Sequence, residues 1–276
     1  MDLNIVIEDS GKRDSKEEIL DKLRTALKLN YKSIAFSVRI NDTQLANPPK
    51  APKIEWKQAS NFELRTRVTI VLEDASKIHK LSNSPILKEY DLLAIEVIND
   101  KILSQLCGGH LDCDIISFSL SERLTFNLKK TNFTVPQTKG TCFEVNYRQL
   151  LLDSTSRQNV ITVSQSLFAR LRGRNVLLSS GALSAIELRG PHDVANLGLL
   201  LELEDSKARA AVFTNGLKAI KHSEMRKTIT SEAVKVENES TSSDKWLLEE
   251  LNIKCESNKE SECEPEKKRI KTEDDS

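Results

Sequence analysis

The sequence predicts an α/β barrel, and three observations support this fold class. Short strand-like runs alternate with amphipathic helical stretches, eight strand candidates fall between residues 3 and 188, and the alternation ends near residue 228. A (β/α)8 TIM-like barrel accommodates eight such repeats in one domain. An open parallel sheet with helices on both faces is the alternative, because periodicity does not distinguish the two arrangements.

The strand candidates are short apolar runs, many of them rich in β-branched residues. They lie at 3–7, 33–40, 67–72, 92–98, 114–120, 142–147, 175–179 and 185–188. Helical periodicity is found at 15–29, 74–81, 158–171, 193–203 and 206–220, and in one helix that ends at Gly108 and Gly109. Asn30 and Gly173 follow two of these helices and predict where they end. Three prolines make 47–52 a loop.

The charges divide the chain into two predicted domains. Residues 229–276 contain 8 of the 41 basic and 14 of the 41 acidic residues, which leaves 33 basic and 27 acidic residues in 1–228. The barrel domain, 1–228, therefore carries a net charge of +6 and the tail, 229–276, a net charge of −6. The tail has few apolar residues after 254, so we expect a disordered acidic segment. Within it, 243–251 has the pattern of a short capped helix.

The amino-terminal residues and the cysteines indicate an intracellular protein. A strand-like run follows Met1 directly, without a basic region and a long apolar stretch, so we expect no secretory signal. No apolar run is long enough to cross a bilayer, and we expect no membrane partner. The five cysteines have no regular spacing, which favours reduced thiols.

The predicted strand ends carry carboxylates such as Glu8, Asp9 and Glu73, so a metal-dependent barrel phosphoesterase is the alternative function. Against it, the chain has 4 histidines, and none forms an H-x-H or H-E-x-x-H pair. The segment from Cys107 to Cys113 does not have a recognised zinc spacing. The sequence also lacks a G-x-S-x-G elbow and a G-x-x-x-x-G-K-[ST] loop. We therefore predict no catalytic residue, no metal and no cofactor.

One segment, 187–200, combines a predicted strand end with a tight turn and a helix start. Gly190 and Pro191 form the turn, and Asp193 lies in the first helical turn, where a carboxylate is favoured. A turn followed by a helix start explains Gly190, Pro191 and Asp193, but it does not require an arginine at 189 or an asparagine at 196.

The same segment closely resembles the signature of the TIM-barrel, thirty-kilodalton protein subunit of eukaryotic ribonuclease P and ribonuclease MRP, a PHP-like barrel family. The resemblance continues through 210–215 and 222–228, and in spacing it covers about 1–228. It implies a barrel related to that of metal-dependent phosphoesterases. The eukaryotic members of the subunit family would lack the metal ligands of those enzymes. The shortage of histidines in this sequence agrees with that expectation.

The resemblance also implies a function and a set of partners. In ribonuclease P the RNA subunit removes the 5′ leader of precursor tRNA, so this chain would be a non-catalytic subunit that scaffolds the RNA. Its partners would be the catalytic RNA, precursor tRNA through the complex, a small α/β protein and other ribonuclease P proteins. Two copies of the chain would be present. Membership of ribonuclease MRP would add ribosomal RNA processing, and both roles imply the nucleus and nucleolus.

The candidate site residues follow from the resemblance and from charge. Arg189, Arg226 and Lys227 are the predicted RNA-binding residues, because basic side chains bind phosphates. The predicted structural or interface residues are Gly190, Pro191, Asp193, Asn196 and Asn215. Charge alone adds second choices at Arg65, Arg67, Arg148, Arg170, Arg172 and Arg174. A basic cluster in the tail resembles a nuclear localisation signal and comprises Lys267, Lys268, Arg269 and Lys271.

Overall fold

The architecture was obtained from a computed structural model. The structure describes residues 1–229 apart from 10, 47, 53, 55–61, 83, 85–87, 121–122, 125, 127 and 129–132. The predicted tail with its localisation cluster lies outside the described residues, so the two-domain division stays a prediction. Among the helices that are described, none combines the length and apolar composition that a bilayer crossing requires.

A curled sheet forms the centre of the molecule. Its strands are β1 (Asp2–Asp9), β2 (Lys12–Arg13), β3 (Ser33–Asn41), β4 (Glu63–Leu72), β5 (Leu92–Val97), β6 (Ile115–Phe118), β7 (Cys142–Asn146) and β8 (Val176–Ser179). In the described residues the strand order is β2-β1-β3-β4-β5-β6-β7-β8. The short β2 pairs antiparallel with the end of β1, and every later neighbour pair is parallel. Consecutive parallel strands require crossover connections, and α-helices supply those from β4 onwards.

The helices surround this sheet and close its base. They are α1 (Lys16–Lys28), α2 (Ile78–Ser82), α3 (Asp100–Cys107), α4 (Thr134–Lys139), α5 (Arg148–Leu151), α6 (Ser154–Leu171), α7 (Pro191–Leu200), α8 (Asp205–Val212) and α9 (Thr214–Ile229). Sequence determines several of their starts. Ser15 and Glu18 form a capping box on α1, and Asn99 and Asp153 accept backbone hydrogen bonds at the starts of α3 and α6.

The sheet closes into a barrel between β1 and the residues that follow β8. The amide of Val6 donates to the carbonyl of Ala182 at 3.0 Å, and the amide of Gly181 donates to the carbonyl of Asn4 at 2.9 Å. Gly181 has a φ of +60°, and a Cβ there would lie 3.1 Å from Cγ of Asn146. The seam therefore depends on a residue that tolerates the left-handed region.

The predicted TIM-like barrel class is confirmed, and most strand positions are correct. The last strand candidate, 185–188, is wrong, since Ala185–Glu187 forms a 3₁₀ helix. Seven of the eight candidates coincide with strands, whereas β2 was not predicted. The single bridge between Ile5 and Ala182 takes the place of the missing eighth parallel strand.

Candidate functional site

The mouth of the barrel, at the carboxyl ends of the strands, contains a polar cavity of about 180 Å³. Enzymes with this fold place their catalytic groups at this end. Charged and polar residues from five strands and from α5 line it: Asp9, Arg39, Thr69, Glu96, Asn146 and Arg148. The mouth is therefore the first place to test for an active site.

The two arginines that line the mouth form ion pairs with nearby carboxylates. Arg39 binds Glu96 at two points, with Nε 3.0 Å from Oε2 and Nη2 2.9 Å from Oε1, and lies 3.6 Å from Asp9. Nε of Arg148 is 3.0 Å from both carboxylate oxygens of Glu187. The contact of Arg39 with Glu96 pairs two donors with two oxygens, and charge-assisted contacts of this kind are strong and fix the side-chain geometry. The arginines and carboxylates of the mouth thus stabilise one another.

The described residues that line the mouth do not form a recognisable catalytic group. Within the described part of the chain, three or more histidine, cysteine or carboxylate side chains do not come together as metal ligands. The hydroxyl of Ser179 donates to Glu144 at 2.6 Å, which has the form of a nucleophile and its base. However, Ser179 is 1% exposed and is not among the residues that line the cavity.

A second polar group lies inside the barrel, beneath the mouth. Arg67 on β4 and Glu144 on β7 are both 0% exposed, with Nη1 2.5 Å from Oε1 and Nη2 2.6 Å from Oε2. Arg67 also donates to the carbonyl of Leu3 and the hydroxyl of Thr69, each at 2.9 Å. Asn4 donates to Glu144 at 3.3 Å. Arg67, a second choice for RNA contact, is therefore excluded from any surface.

Sequence reasoning missed this buried network, although a signal for it exists. Arg67 and Thr69 alternate with the apolar Val68 and Ile70, so one face of β4 is polar and the other apolar. In a small barrel the inward residues come from alternate positions of each strand. A polar residue at such a position therefore faces the barrel interior.

The base of the barrel carries a third polar cluster, built around the fully buried Asp114. Nδ1 of His222 is 2.7 Å from Oδ1 of Asp114, and Nη2 of Arg226 is 2.9 Å from Oδ2. Nε2 of His222 lies 3.4 Å from Asp112. Hydrogen bonds to Asp112 and Asp114 raise the pKa of His222 to about 9. The imidazole is therefore cationic at neutral pH, and α9 is fastened to the base by two positive side chains.

The structure brings the predicted RNA-binding residues Arg226 and Lys227 to this base. Nζ of Lys227 is 3.1 Å from Oδ1 of Asp91. The other oxygen of this carboxylate, Oδ2, accepts hydrogen bonds from the amide and the hydroxyl of Thr66. Arg226 is mostly buried, with 11% of its side chain exposed, whereas Lys227 retains 32%. Both residues already have carboxylate partners within the chain.

The third predicted RNA-binding residue, Arg189, lies away from this cluster. The strand predicted at 185–188, just before Arg189, is not present, because Ala185–Glu187 is a 3₁₀ helix. Nη1 of Arg189 donates to the carbonyls of Ile186 at 2.7 Å and Leu188 at 2.9 Å. Its backbone is held by the hydroxyls of Tyr31 and Tyr147. Arg189 thus braces the turn before α7.

The predicted structural residues divide into two locations. Gly190 is the N-cap residue of α7, Pro191 is its first residue, and Asp193 lies in its first turn, as the sequence indicated. Asn196 is exposed on the same helix. Asn215, at 2% exposure, lies at the base and donates to the carbonyl of Val176 at 2.7 Å. Gly190, Pro191 and Asp193 line a cavity together with Phe213 and Leu217, so the start of α7 and the start of α9 border the same cavity.

The fold and these clusters define the chain as a TIM-like α/β barrel with an ion-paired mouth and a basic helix fastened across its base. Residues 1–228 match the family model described as "RNase P subunit p30". The chain therefore belongs to the RNase P subunit p30 family.

Individual relatives support this assignment. The chain is 31% identical over 228 residues to the "Probable ribonuclease P protein subunit 3" of Schizosaccharomyces pombe, covering 82% of this chain and 94% of that protein. It is 27% identical to the "Ribonuclease P/MRP protein subunit RPP1" of Saccharomyces cerevisiae, covering 70% and 68%. It is 36% identical to "Protein GAMETOPHYTE DEFECTIVE 1" of Arabidopsis thaliana over 64% of this chain, but the match spans 30% of that longer protein.

A solved structure has the same fold. A chain of the "cryo-EM structure of archaeal Ribonuclease P with mature tRNA" superposes with a TM-score of 0.59, covering 86% of this chain and 100% of that chain. The identity is 14%, so this likeness establishes the fold alone.

Proposed function

We propose that this chain is a protein subunit of ribonuclease P, and also of ribonuclease MRP, and that it scaffolds the RNA without cleaving it. The match of residues 1–228 to the RNase P subunit p30 family carries the proposal. The name of the Saccharomyces cerevisiae relative supports the extension to ribonuclease MRP.

The absence of a catalytic role is part of the proposal and is supported by the mouth. Arg39 and Arg148 are engaged by Glu96 and Glu187, so the side chains that would bind a phosphoester are already paired. An enzyme of this fold would instead direct unpaired donors or metal ligands into the mouth. A metal-dependent phosphoesterase is the function that this arrangement favours least.

The proposed partners are the catalytic RNA, precursor tRNA through the complex, a small α/β protein and the other ribonuclease P proteins, with two copies of this chain in the particle. Nuclear and nucleolar localisation is proposed as well. Arg189, Arg226 and Lys227 stay candidate RNA contacts, although the ion pairs of Arg226 and Lys227 leave little of their charge for phosphates.

Affinity purification of the tagged full-length chain from nuclear extract, followed by sequencing of the bound RNA, tests the proposal. We expect enrichment of the ribonuclease P and MRP RNAs together with precursor tRNA cleavage in the eluate. Recovery of neither RNA contradicts membership of the particles.

A pair of substitutions separates scaffolding from catalysis. Glu96→Gln and Arg148→Gln alter the charges of the mouth, and we expect particles that contain them to retain kcat for precursor tRNA at a permissive temperature. A loss of kcat by orders of magnitude, with normal RNA content, would assign chemistry to the mouth. Turnover of a phosphoester by the purified chain without RNA would favour the phosphoesterase.

A further inference from the structure

Four exposed basic side chains surround the base of the barrel, on the side opposite the mouth. We call them the basal patch: Lys139, Arg174, Lys218 and Lys221. They come from the end of α4, from the loop before β8 and from α9. None of them belongs to the RNA-binding set predicted from sequence, apart from Arg174 as a second choice.

Hydrogen bonds hold the end of α4 against the loop before β8. Nε2 of Gln137 donates to the carbonyls of Leu171 at 3.1 Å and Arg174 at 3.4 Å. In return, Nδ2 of Asn175 donates to the carbonyls of Gln137 and Thr141, each at 3.2 Å. The backbones that carry Lys139 and Arg174 are therefore fixed beside each other.

The start of α9 is fastened to the same region. Nδ2 of Asn215 donates to the carbonyl of Val176, and the carbonyl of Asn215 accepts from Sγ of Cys142 at 3.4 Å. Burial raises the pKa of the Cys142 thiol to about 12, and the nearby Lys218 ammonium opposes that rise. Lys218 and Lys221 are three residues apart and share one helix face. The start of α9 is thus bonded to the first residues of β7 and β8, beside the segments that carry Lys139 and Arg174.

Within the part of the chain that the structure describes, the side chains of the basal patch have no ion-pair partner. The charge of Lys139 contributes to the lowered pKa of Asp112, but the main cause is the hydrogen bond of that carboxylate with His222. Arg226 and Lys227, by contrast, are held by Asp114 and Asp91.

We propose that the basal patch binds the RNA phosphate backbone, so that the base of the barrel, rather than its mouth, faces RNA. Exposed unpaired lysines and arginines neutralise phosphates and release counterions on binding. Phosphate contacts position a protein on RNA without reading its sequence, which suits a scaffold. The inference rests on the proposed function and assigns it a surface.

Salt dependence of RNA binding tests the patch on the full-length chain. The test variant combines Lys139→Gln, Arg174→Gln, Lys218→Gln and Lys221→Gln. The control also replaces three lysines and one arginine, but at exposed positions of α1 and α3: Lys16→Gln, Lys28→Gln, Lys101→Gln and Arg24→Gln. The probe is a fluorescently labelled, structured RNA transcript, and the affinity is measured over a series of salt concentrations. Equal melting temperatures establish that both variants fold.

We expect the basal variant to reduce the slope of log affinity against log salt by about 3, because each lost phosphate contact contributes about 0.7–0.9. The control should change the slope by less than about 1. Equal slopes for the two variants overturn the assignment, as does wild-type binding that is insensitive to salt. A basal variant that binds RNA normally but loses protein subunits on affinity capture would show a protein interface instead.

Affinity capture of the wild-type chain separates failure of the patch from failure of the proposed function. If the wild-type chain recovers ribonuclease P RNA and the basal variant binds RNA normally, only the patch assignment is wrong. If the wild-type chain recovers no ribonuclease P RNA, the proposed function is wrong.

Discussion

Arg67 and Glu144 face each other across the interior of the barrel in a two-point ion pair, and neither side chain is exposed to solvent. The pair joins β4 to β7, which are not neighbours in the sheet. Since Arg67 also donates to the carbonyl of Leu3, one guanidinium connects three strands of the ring. The pair therefore fixes the cross-section of the barrel.

Removing one partner of this pair should be strongly destabilising. We expect Glu144→Gln to lower the free energy of unfolding by about 3–5 kcal/mol, because a buried guanidinium loses its counter-charge. Denaturant unfolding measures the change. The control is Asp205→Asn, which breaks the exposed pair with Arg209 and should cost less than about 1 kcal/mol. Equal losses in the two variants would contradict the buried pair.

Arg226 and Lys227 should differ in their effects on stability. Arg226→Ala leaves the buried Asp114 carboxylate without its guanidinium, so we expect a loss of about 3 kcal/mol or more. Lys227→Ala breaks a half-exposed pair and should cost about 1 kcal/mol or less. Chemical denaturation of both variants measures which substitution lowers the free energy of unfolding more. A stable Arg226→Ala variant with weakened RNA binding would support the original RNA-contact assignment.

The His222 cluster predicts a pH dependence of stability. Because the pKa of His222 rises from 6.5 to about 9 on folding, its stabilisation is complete below about pH 6.5 and is lost as the pH rises through 9. The stability difference between wild type and His222→Gln should therefore be larger at about pH 6 than at about pH 9.5. Asp112 and Asp114 contact the imidazole, and Arg226 shares the Asp114 carboxylate with it. A difference that grows with pH would contradict the cationic assignment.

Arg189 should act on the turn that precedes α7. Arg189→Ala removes two hydrogen bonds to backbone carbonyls, and we expect a loss of about 1–3 kcal/mol, which lowers the melting temperature. Precursor tRNA cleavage by particles that contain the variant should be normal well below that temperature. A normal melting temperature combined with impaired cleavage would favour an RNA contact instead.

The basic cluster of the tail should control localisation. Replacing Lys268, Arg269 and Lys271 with alanine should shift a fluorescently tagged chain towards the cytoplasm and leave thermal unfolding unchanged. Fluorescence microscopy measures the shift. Nuclear accumulation of the variant in cells would indicate import together with partner subunits.

Strands such as β5 and β8 were predictable because parallel strands are buried on both faces and form continuous apolar runs, whereas β4 alternates polar and apolar residues. Ala185–Glu187 was mistaken for a strand because its short apolar run fits either structure. A local signal was available, since Ser184 and Glu187 have the spacing of a capping box, and the carboxylate of Glu187 accepts from the amide of Ser184 at 3.3 Å. Short apolar runs are therefore better assigned after their flanking caps have been considered.

The polar clusters were less predictable, because their partners are distant in sequence. Arg226 meets Asp114 across 112 positions and Lys227 meets Asp91 across 136. Charge and family resemblance identify such residues as basic but do not reveal which carboxylate engages them. The distinction between a paired and an unpaired arginine therefore required the fold.

The seam of the barrel has a consequence for protein synthesis. Its hydrogen bonds join residues 4 and 6 to residues 181 and 182, so the ring cannot close until at least that length of chain has left the ribosome. Until then, β1 keeps an unsatisfied edge near the amino terminus of the nascent polypeptide, and such edges invite unwanted strand pairing. The short antiparallel β2 folds back on the end of β1 from residues 12–13 and so covers part of that edge from the earliest stage of translation.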